Sequence, residues 1–513
     1  MTTTAPDPRP SILRSYGAPA LVFALSLALY LRTLMPGQAF DDWGELQTVP
    51  HVLGVPHPTG YPTYVLAAWL FELLPVGSIA FRANLFAAVC VALALAVMVS
   101  IQQRLGVRPL VAAGIALATG ATGSVWASAG VAEVNSLHLL FIALIFDRSL
   151  AWARSHRLRD LALGGLLIGL SLGNHVLSAF TVPYVVLFVL WSGRGVLRAN
   201  RRWILAPVAT MLLGLSVYAY LPIAASMHPP LPYNNPVTIE GFLFLVTGAQ
   251  FRGQYSSLLG VDGVLAFLGS LPQLAGDVVR GGGVVLPLLG LAGVPAAFRR
   301  SPGFAAVLVA TVLTSCYVWA NYLRMDHYLL VPWLATGILA GIGLDAITGI
   351  AERRLHGPAR VVPGLVAAAA GGVLAVSLIV TGLPDNDRSG DRTAEVFSDA
   401  LLALLPENAA VVTPWGPSTA LWYATLVDGK RPDVLVVDDT NIVYEGWETR
   451  EARIASLICS RPVYALRVGA EDLELMRRDY LLTAVARLVV GQGEPGGWFE
   501  TPLFRVDPKV PCG

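Results

Sequence analysis

Between residues 16 and 383 the chain repeats one pattern. Apolar runs long enough to cross ~30 Å of hydrocarbon alternate with short connections in which Arg recurs. The runs fall at 17–35, 83–103, 109–127, 135–151, 161–174, 176–192, 203–224, 282–298, 303–320, 328–348 and 361–383, so about eleven transmembrane helices are expected. Only 13% of the residues are charged and 55% are hydrophobic, against about 25% charged in a soluble domain. Soluble enzymes, disordered chains and coiled coils are excluded on that ground. The boundary at Asn174-His175 is open, because 161–192 also reads as one kinked element, and a helix buried on all sides is apolar all round.

The basic residues orient the bundle, since short cytoplasmic loops carry the excess of Lys and Arg. Arg9 and Arg14 precede the first run. Alternate connections then hold Arg104 and Arg108, Arg154 to Arg159, Arg194 to Arg202, Arg299 and Arg300, and Arg353 to Arg360. The intervening connections hold only Arg82, Arg252, Arg280 and Arg324. The N-terminus is therefore expected in the cytoplasm of a multi-pass protein of the inner or plasma membrane, with the first run an uncleaved span rather than a signal peptide. An odd number of spans puts the C-terminal tail outside. A net charge of +1 gives nucleic acid nothing to bind.

Composition changes after Leu383, so two units are expected: a membrane domain, 1–383, and an extracytoplasmic domain, 384–513. In the second, 409–413, 434–437, 462–466 and 504–506 read as strands and 393–405, 418–427, 449–459 and 470–478 as helices. That alternation implies a small α/β domain. It carries no G-x-G-x-x-G and no Walker loop, so no nucleotide is implied. Cys90 and Cys316 read as membrane packers, whereas Cys459 and Cys512 lie where an oxidising compartment permits a disulfide.

Ionisable residues are nearly absent from the span interiors, where a transporter would carry them. Asp147, Arg148 and Asp345 lie toward cytoplasmic helix ends as anchors. The other polar residues gather on the opposite side: Asp41, Asp42 and Glu45 after the first span, then His51, His57, Glu133, Asn174, His175, Arg252, Arg324, Asp326 and His327. All can face one cavity at the membrane surface. A carboxylate there suits a general base acting on a hydroxyl; the competing role for Asp42 and Glu45 is ordinary helix capping. Residues 65–74 and 263–276 read as membrane-surface helices.

Asp42-Trp43-Gly44-Glu45, then His57-Pro58-Thr59-Gly60-Tyr61-Pro62, then Arg82-Ala83-Asn84-Leu85 resemble the opening signature of a GT-C glycosyltransferase family, one that includes the animal protein O-mannosyltransferase of plexin-type receptors. Glu133-Val134, Gly173-Asn174-His175, Tyr220-Leu221-Pro222-Ile223, Asp326-His327-Tyr328 and the tail segment 421–434 are similar as well, each weakly. The chain departs from the family at Ala224, Ala225 and Asn135, which bears on sugar and acceptor contacts more than on the reaction class.

The resemblance implies a polytopic GT-C-like fold and an inverting transfer of a sugar, mannose or a similar hexose, from a polyprenyl-phosphate donor in the bilayer to a hydroxyl of a protein Ser/Thr or an envelope glycan. It implies Asp42 as base, with Glu45 assisting and Asp41 as the alternative if the register is one off. The phosphate falls to Arg82, or failing that Arg252 or Arg324, with His57, Tyr61, Glu133, Asn174, His175, Asp326 and His327 around the substrates. No cofactor is implied. Three outer His with Glu133 or Asp326 leave a divalent ion open, although no H-x-x-x-H spacing marks one. The other readings of such a chain are a flippase for a lipid-linked substrate and a sensor whose outer domain binds a ligand.

Overall fold

The computed structural model describes residues 12–254, 260–322, 324–440, 442, 445–467, 469–491 and 498–512. The expected apolar runs are all helical. Among the described residues seven helices are long and apolar enough to cross a membrane: Tyr16–Thr33, Ile79–Arg104, Val134–Ser155, Arg201–Ser226, Pro302–Asn321, Asp326–Arg353 and Gly357–Asn386. The run at 109–127 is instead two helices, Pro109–Gly120 and Gly123–Ala129, bent by 75°. The run at 282–298 is the helix Val285–Arg300, which meets Val261–Gly282 at 107°. The open boundary at Asn174 resolves as a break between Leu158–Leu172 and Ser178–Ser192.

Small residues let these helices approach closely, as packing without a hydrophobic driving force requires. A Cβ on Gly293 would lie 2.0 Å from the Leu339 carbonyl oxygen and 2.9 Å from the Gly343 nitrogen, so the helices Val285–Arg300 and Leu330–Arg353 touch backbone to backbone. Asp147, Arg148 and Asp345 do more than anchor. Arg104 Nε donates to Asp147 at 2.6 Å, Arg108 and Arg300 both donate to Asp345 at 2.6 Å, and Arg148 donates to Asp160 at 3.0 Å.

The tail forms a five-stranded sheet in the order β2-β1-β3-β5-β4. β1 (Ala410–Thr413), β2 (Leu435–Asp438) and β3 (Val463–Leu466) are parallel, and β4 (Tyr480–Gly491) and β5 (Trp498–Pro508) form an antiparallel hairpin beside β3. Cys459 and Cys512 are disulfide-bonded, their Cα atoms 5.6 Å apart, which ties the end of the chain to the helix Arg450–Ile458. The tail is seated firmly on the membrane unit. Phe40 packs on Phe397 with ring centroids 5.4 Å apart, Gln38 Nε2 donates to the Ala394 carbonyl at 2.7 Å, and the Ala80 amide donates to Tyr423 Oη at 2.9 Å.

Candidate active site

The acidic motif is helical. Asp41–Val52 is a helix whose first turn holds Asp41 and Asp42, where negative charge is favoured. Its N-cap is Phe40, with no side-chain cap, so the capping role considered for Asp42 and Glu45 is not adopted. Asp42 and Glu45 stand three residues apart on one helix face, and both point to His57.

His57 sits in a fixed frame. Its backbone N–H donates to Glu45 Oε1 at 2.8 Å and its Nδ1 bonds Glu45 Oε2. Its Nε2 lies 3.1 Å from Tyr61 Oη and 3.8 Å from Asp42 Oδ2. Tyr61 spends its one proton on the Pro58 carbonyl at 2.7 Å, so it accepts from Nε2–H. The Nδ1 side faces a carboxylate, which also only accepts. Both ring nitrogens therefore carry protons. Burial alone would lower the His57 pKa, but the charges of Glu45 and Asp42 and the Glu45 hydrogen bond outweigh it and raise it to about 9. Tyr61 holds φ 37°, in the left-handed region, uncommon for a bulky residue, and this backbone turn places its ring on His175 at 5.7 Å.

His175 is the counterpart. Its Nδ1 accepts from the Leu177 amide at 3.1 Å, leaving the proton on Nε2. Burial, reinforced by His138, His327 and His57, holds its pKa well below the usual range, so it is a neutral donor. Glu133 caps the helix Val134–Ser155. Its Oε1 accepts from the Asn135 amide and Nδ2 at 3.1 and 2.9 Å, and its Oε2 accepts from Trp43 Nε1 at 3.2 Å.

Asp42, His57, Tyr61, Glu133, His175 and His327 together line one cavity of about 560 Å³. Glu45 stands behind that wall, 2% exposed, holding His57. Asn174 is also behind it, its Nδ2 donating to the Val134 carbonyl at 3.1 Å. The remaining candidates lie off the cavity lining. Asp41 faces Gly416, whose Cβ would come within 2.5 Å of its Oδ1; burial and Asp42 raise its pKa to about 6. Arg82 is turned away, its guanidinium donating to the carbonyls of Glu72, Val76 and Gly77 at 2.7, 2.8 and 3.0 Å. It closes the turn after the helix Pro62–Glu72. Arg252 and Arg324 are exposed, and Asp326 likewise, yet Phe251, Met325 and His327 beside them line the cavity. Among the described residues no group of three or more His, Cys, Asp or Glu is placed to hold a metal ion.

Sequence reasoning missed the tail's contribution. Trp415 and Thr440 line the cavity with Tyr233, Gln250 and Tyr328. Trp415 Nε1 donates to Asp42 Oδ1 at 2.8 Å. Both residues lie just past the C-terminal ends of the parallel strands β1 and β2, the side on which open α/β sheets bind ligands. That rule would have found them.

Residues 42–196 match the family described as the protein O-mannosyl-transferase TMEM260 N-terminal domain. The chain is 27% identical over 460 residues to mouse protein O-mannosyl-transferase TMEM260, covering 84% of this chain and 64% of the mouse protein. It is 23% identical over 377 residues to the Dictyostelium discoideum tmem260 protein, covering 65% of this chain and 45% of that one. The chain thus spans less than two thirds of either relative. In fold it is similar to ArnT from Cupriavidus metallidurans bound to undecaprenyl phosphate, with a TM-score of 0.59 at 13% identity over 96% of this chain and 98% of that one. The chain is thus similar in sequence to the TMEM260 protein O-mannosyl-transferases and in fold to ArnT.

Proposed function

We propose that the chain is a glycosyltransferase that moves mannose or a similar hexose from a polyprenyl-phosphate donor to a hydroxyl of a protein Ser/Thr or an envelope glycan, on the extracytoplasmic face of the membrane. The observation that carries this is the state of Asp42. Of the two carboxylates lining the cavity, Glu133 is buried with both oxygens bonded, whereas the Asp42 side chain is 52% exposed. Asp42 is the one able to take a proton from an incoming group.

In this mechanism the acceptor oxygen bonds to the anomeric carbon as the bond from that carbon to the phosphate oxygen breaks. The bonding pair leaves with the polyprenyl phosphate, and the acceptor proton passes to Asp42 Oδ2. Displacement from the face opposite the phosphate inverts the anomeric centre. Glu45 fixes the His57 imidazolium, whose charge keeps a proton-accepting Asp42 beside a fully buried carboxylate tolerable. His175 Nε2–H and the hydroxyl of Tyr328 supply donors for the sugar or the phosphate. Arg252 and Arg324 replace Arg82 as the guanidiniums able to reach the phosphate from the cavity rim.

A second cavity of about 300 Å³ supports a lipid-linked donor. It is lined by apolar residues such as Leu274, Val278, Leu291, Val312, Leu313 and Trp333, and Leu329 on its wall adjoins Tyr328 of the first cavity. The distribution of Arg over alternate loops supports a cytoplasmic N-terminus and an outer tail. The test is Asp42→Asn in the purified, nanodisc-embedded chain, given polyprenyl-phosphate hexoses and Ser/Thr peptides. Turnover should fall ~10²–10⁴-fold, the usual contribution of a general base, with donor binding retained. Unchanged turnover removes Asp42 from the chemistry.

A further inference from the structure

We infer that the outer domain completes the active site through Trp415, a positioning residue that holds one oxygen of Asp42 so that the other faces the substrate; this rests on the proposed role of Asp42 as base.

Asp42 occupies the first turn of a helix with its side chain half exposed. Unheld, a carboxylate in that setting samples its rotamers freely, and a general base is effective only within hydrogen-bond reach of its proton. Trp415 Nε1–H removes that freedom by donating to Oδ1 at 2.8 Å, leaving Oδ2, the oxygen 3.8 Å from His57 Nε2, as the free acceptor. An indole N–H only donates, so it cannot compete for the acceptor's proton.

The indole is itself immobilised. It packs edge-on to His57 at 5.9 Å, Tyr233 at 6.1 Å and Trp422 at 5.7 Å. The helix that Trp415 opens, Trp415–Trp422, lies directly on the acidic helix. A Cβ on Gly44 would be 2.4 Å from the Ala39 carbonyl oxygen and 2.8 Å from Thr419 Oγ1, and one on Gly416 would be 2.5 Å from Asp41 Oδ1. Two glycines thus allow a contact close enough for the indole to reach across. A tail that served only to bind a distant acceptor would not require the helix after β1 to press on the catalytic one.

The test replaces Trp415 in the full-length, nanodisc-embedded chain by Phe and by 3-benzothienylalanine, which keeps the bicyclic shape but exchanges N–H for sulfur. Initial rates are measured on a panel of polyprenyl-phosphate hexoses with Ser/Thr peptides. Both variants are expected to lower kcat about 10–100-fold, as loss of a hydrogen bond to a charged group does, with donor KM within about twofold and unchanged thermal melting. In an Asp42→Asn background the benzothienyl exchange should cost less than about twofold, because the two changes act through one carboxylate. Wild-type kcat in the benzothienyl chain, with loss only in Trp415→Ala, reduces the indole to packing and overturns the inference alone. Full turnover by Asp42→Asn, or no turnover by the wild-type chain on the whole panel, overturns the underlying assignment as well.

Discussion

At the end of the bundle remote from the cavity, Asp147, Asp160 and Asp345 are each held by guanidinium groups: Arg104 and Arg148 on Asp147, Arg148 on Asp160, Arg108 and Arg300 on Asp345. At the cavity end, Glu45 and Asp42 meet an imidazolium and an indole instead. By helix rise the two ends are roughly 20 Å apart along Val134–Ser155, from Glu133 to Asp147. The difference lies in what each partner leaves over. Arg is always charged and offers a rigid fork that occupies both oxygens of a carboxylate. A single indole N–H occupies one, and a His can lose its proton. The first end is built to keep its charges paired, and the second leaves one carboxylate oxygen available.

The comparison breaks most sharply if the two ends exchange their responses to the same substitution. Asp42→Asn should lower turnover ~10²–10⁴-fold with little change in melting. Asp345→Asn should do the reverse. It removes the partner that Arg108 and Arg300 share, leaving Arg108 to Glu352 and Arg300 to the Leu105 carbonyl, and should destabilise by about 2 kcal/mol, the range for hydrogen bonds between charged groups that are partly exposed. Activity per folded molecule should be retained. Parallel turnover assays and thermal melting in nanodiscs decide it; a lowered melting point in Asp42→Asn with normal turnover would invert the assignment of the two ends.

A smaller effect is expected at the partner that can change charge. The His57 pKa, raised from the ordinary 6.5 to about 9 by Glu45 and Asp42 against the lowering effect of burial, contributes stability fully below pH 6.5 and loses it as pH rises through about 9. Melting should therefore decline between about pH 6.5 and 9, and activity should fall as His57 loses its proton around pH 9. Glu45→Gln should lower turnover about 10–100-fold and move that alkaline limit to lower pH, because burial then weighs more against the imidazolium. A pH profile identical to wild type in Glu45→Gln would show that the pair does not set the charge of His57.

Much of the fold was legible because apolar length is a strong signal: every run picked from hydropathy is helical. The site was half legible. His57, Glu133, His175 and His327 could be grouped because they fall at one end of the apolar runs, with most of the Arg at the other. What a carboxylate bonds to is not legible. Gly44 is small because Thr419 and the Ala39 carbonyl crowd it, a tertiary reason invisible in one dimension. Tyr480–Gly491 was missed as a strand because its apolar run fits a helix as well as a strand. Trp415 was missed because its importance comes from a domain contact across 373 residues of sequence.

The smallest effect concerns the Arg residues and sharpens what a guanidinium does on the cavity side. Arg82 satisfies three carbonyls at the end of the helix Pro62–Glu72, a task that needs the fork and not only the charge. Arg82→Lys keeps the charge, loses at least one of those bonds and should cost about 1 kcal/mol in stability, with affinity for a polyprenyl-phosphate hexose unchanged. Arg324 bonds Gln273 Oε1 at 2.8 Å, and Arg252 bonds Thr247 Oγ1 at 3.3 Å. These are neutral partners that a phosphate can displace, since charge-assisted bonds are about twice as strong. Arg252→Lys or Arg324→Lys should weaken donor binding about fivefold, the loss of one arm of a bidentate contact, with melting unaltered. Binding titrations beside melting curves separate the two kinds of Arg. Weakened donor binding in Arg82→Lys would return that residue to the phosphate, and normal binding in both Arg252→Lys and Arg324→Lys would leave the phosphate to His175, His327 and the Tyr328 hydroxyl.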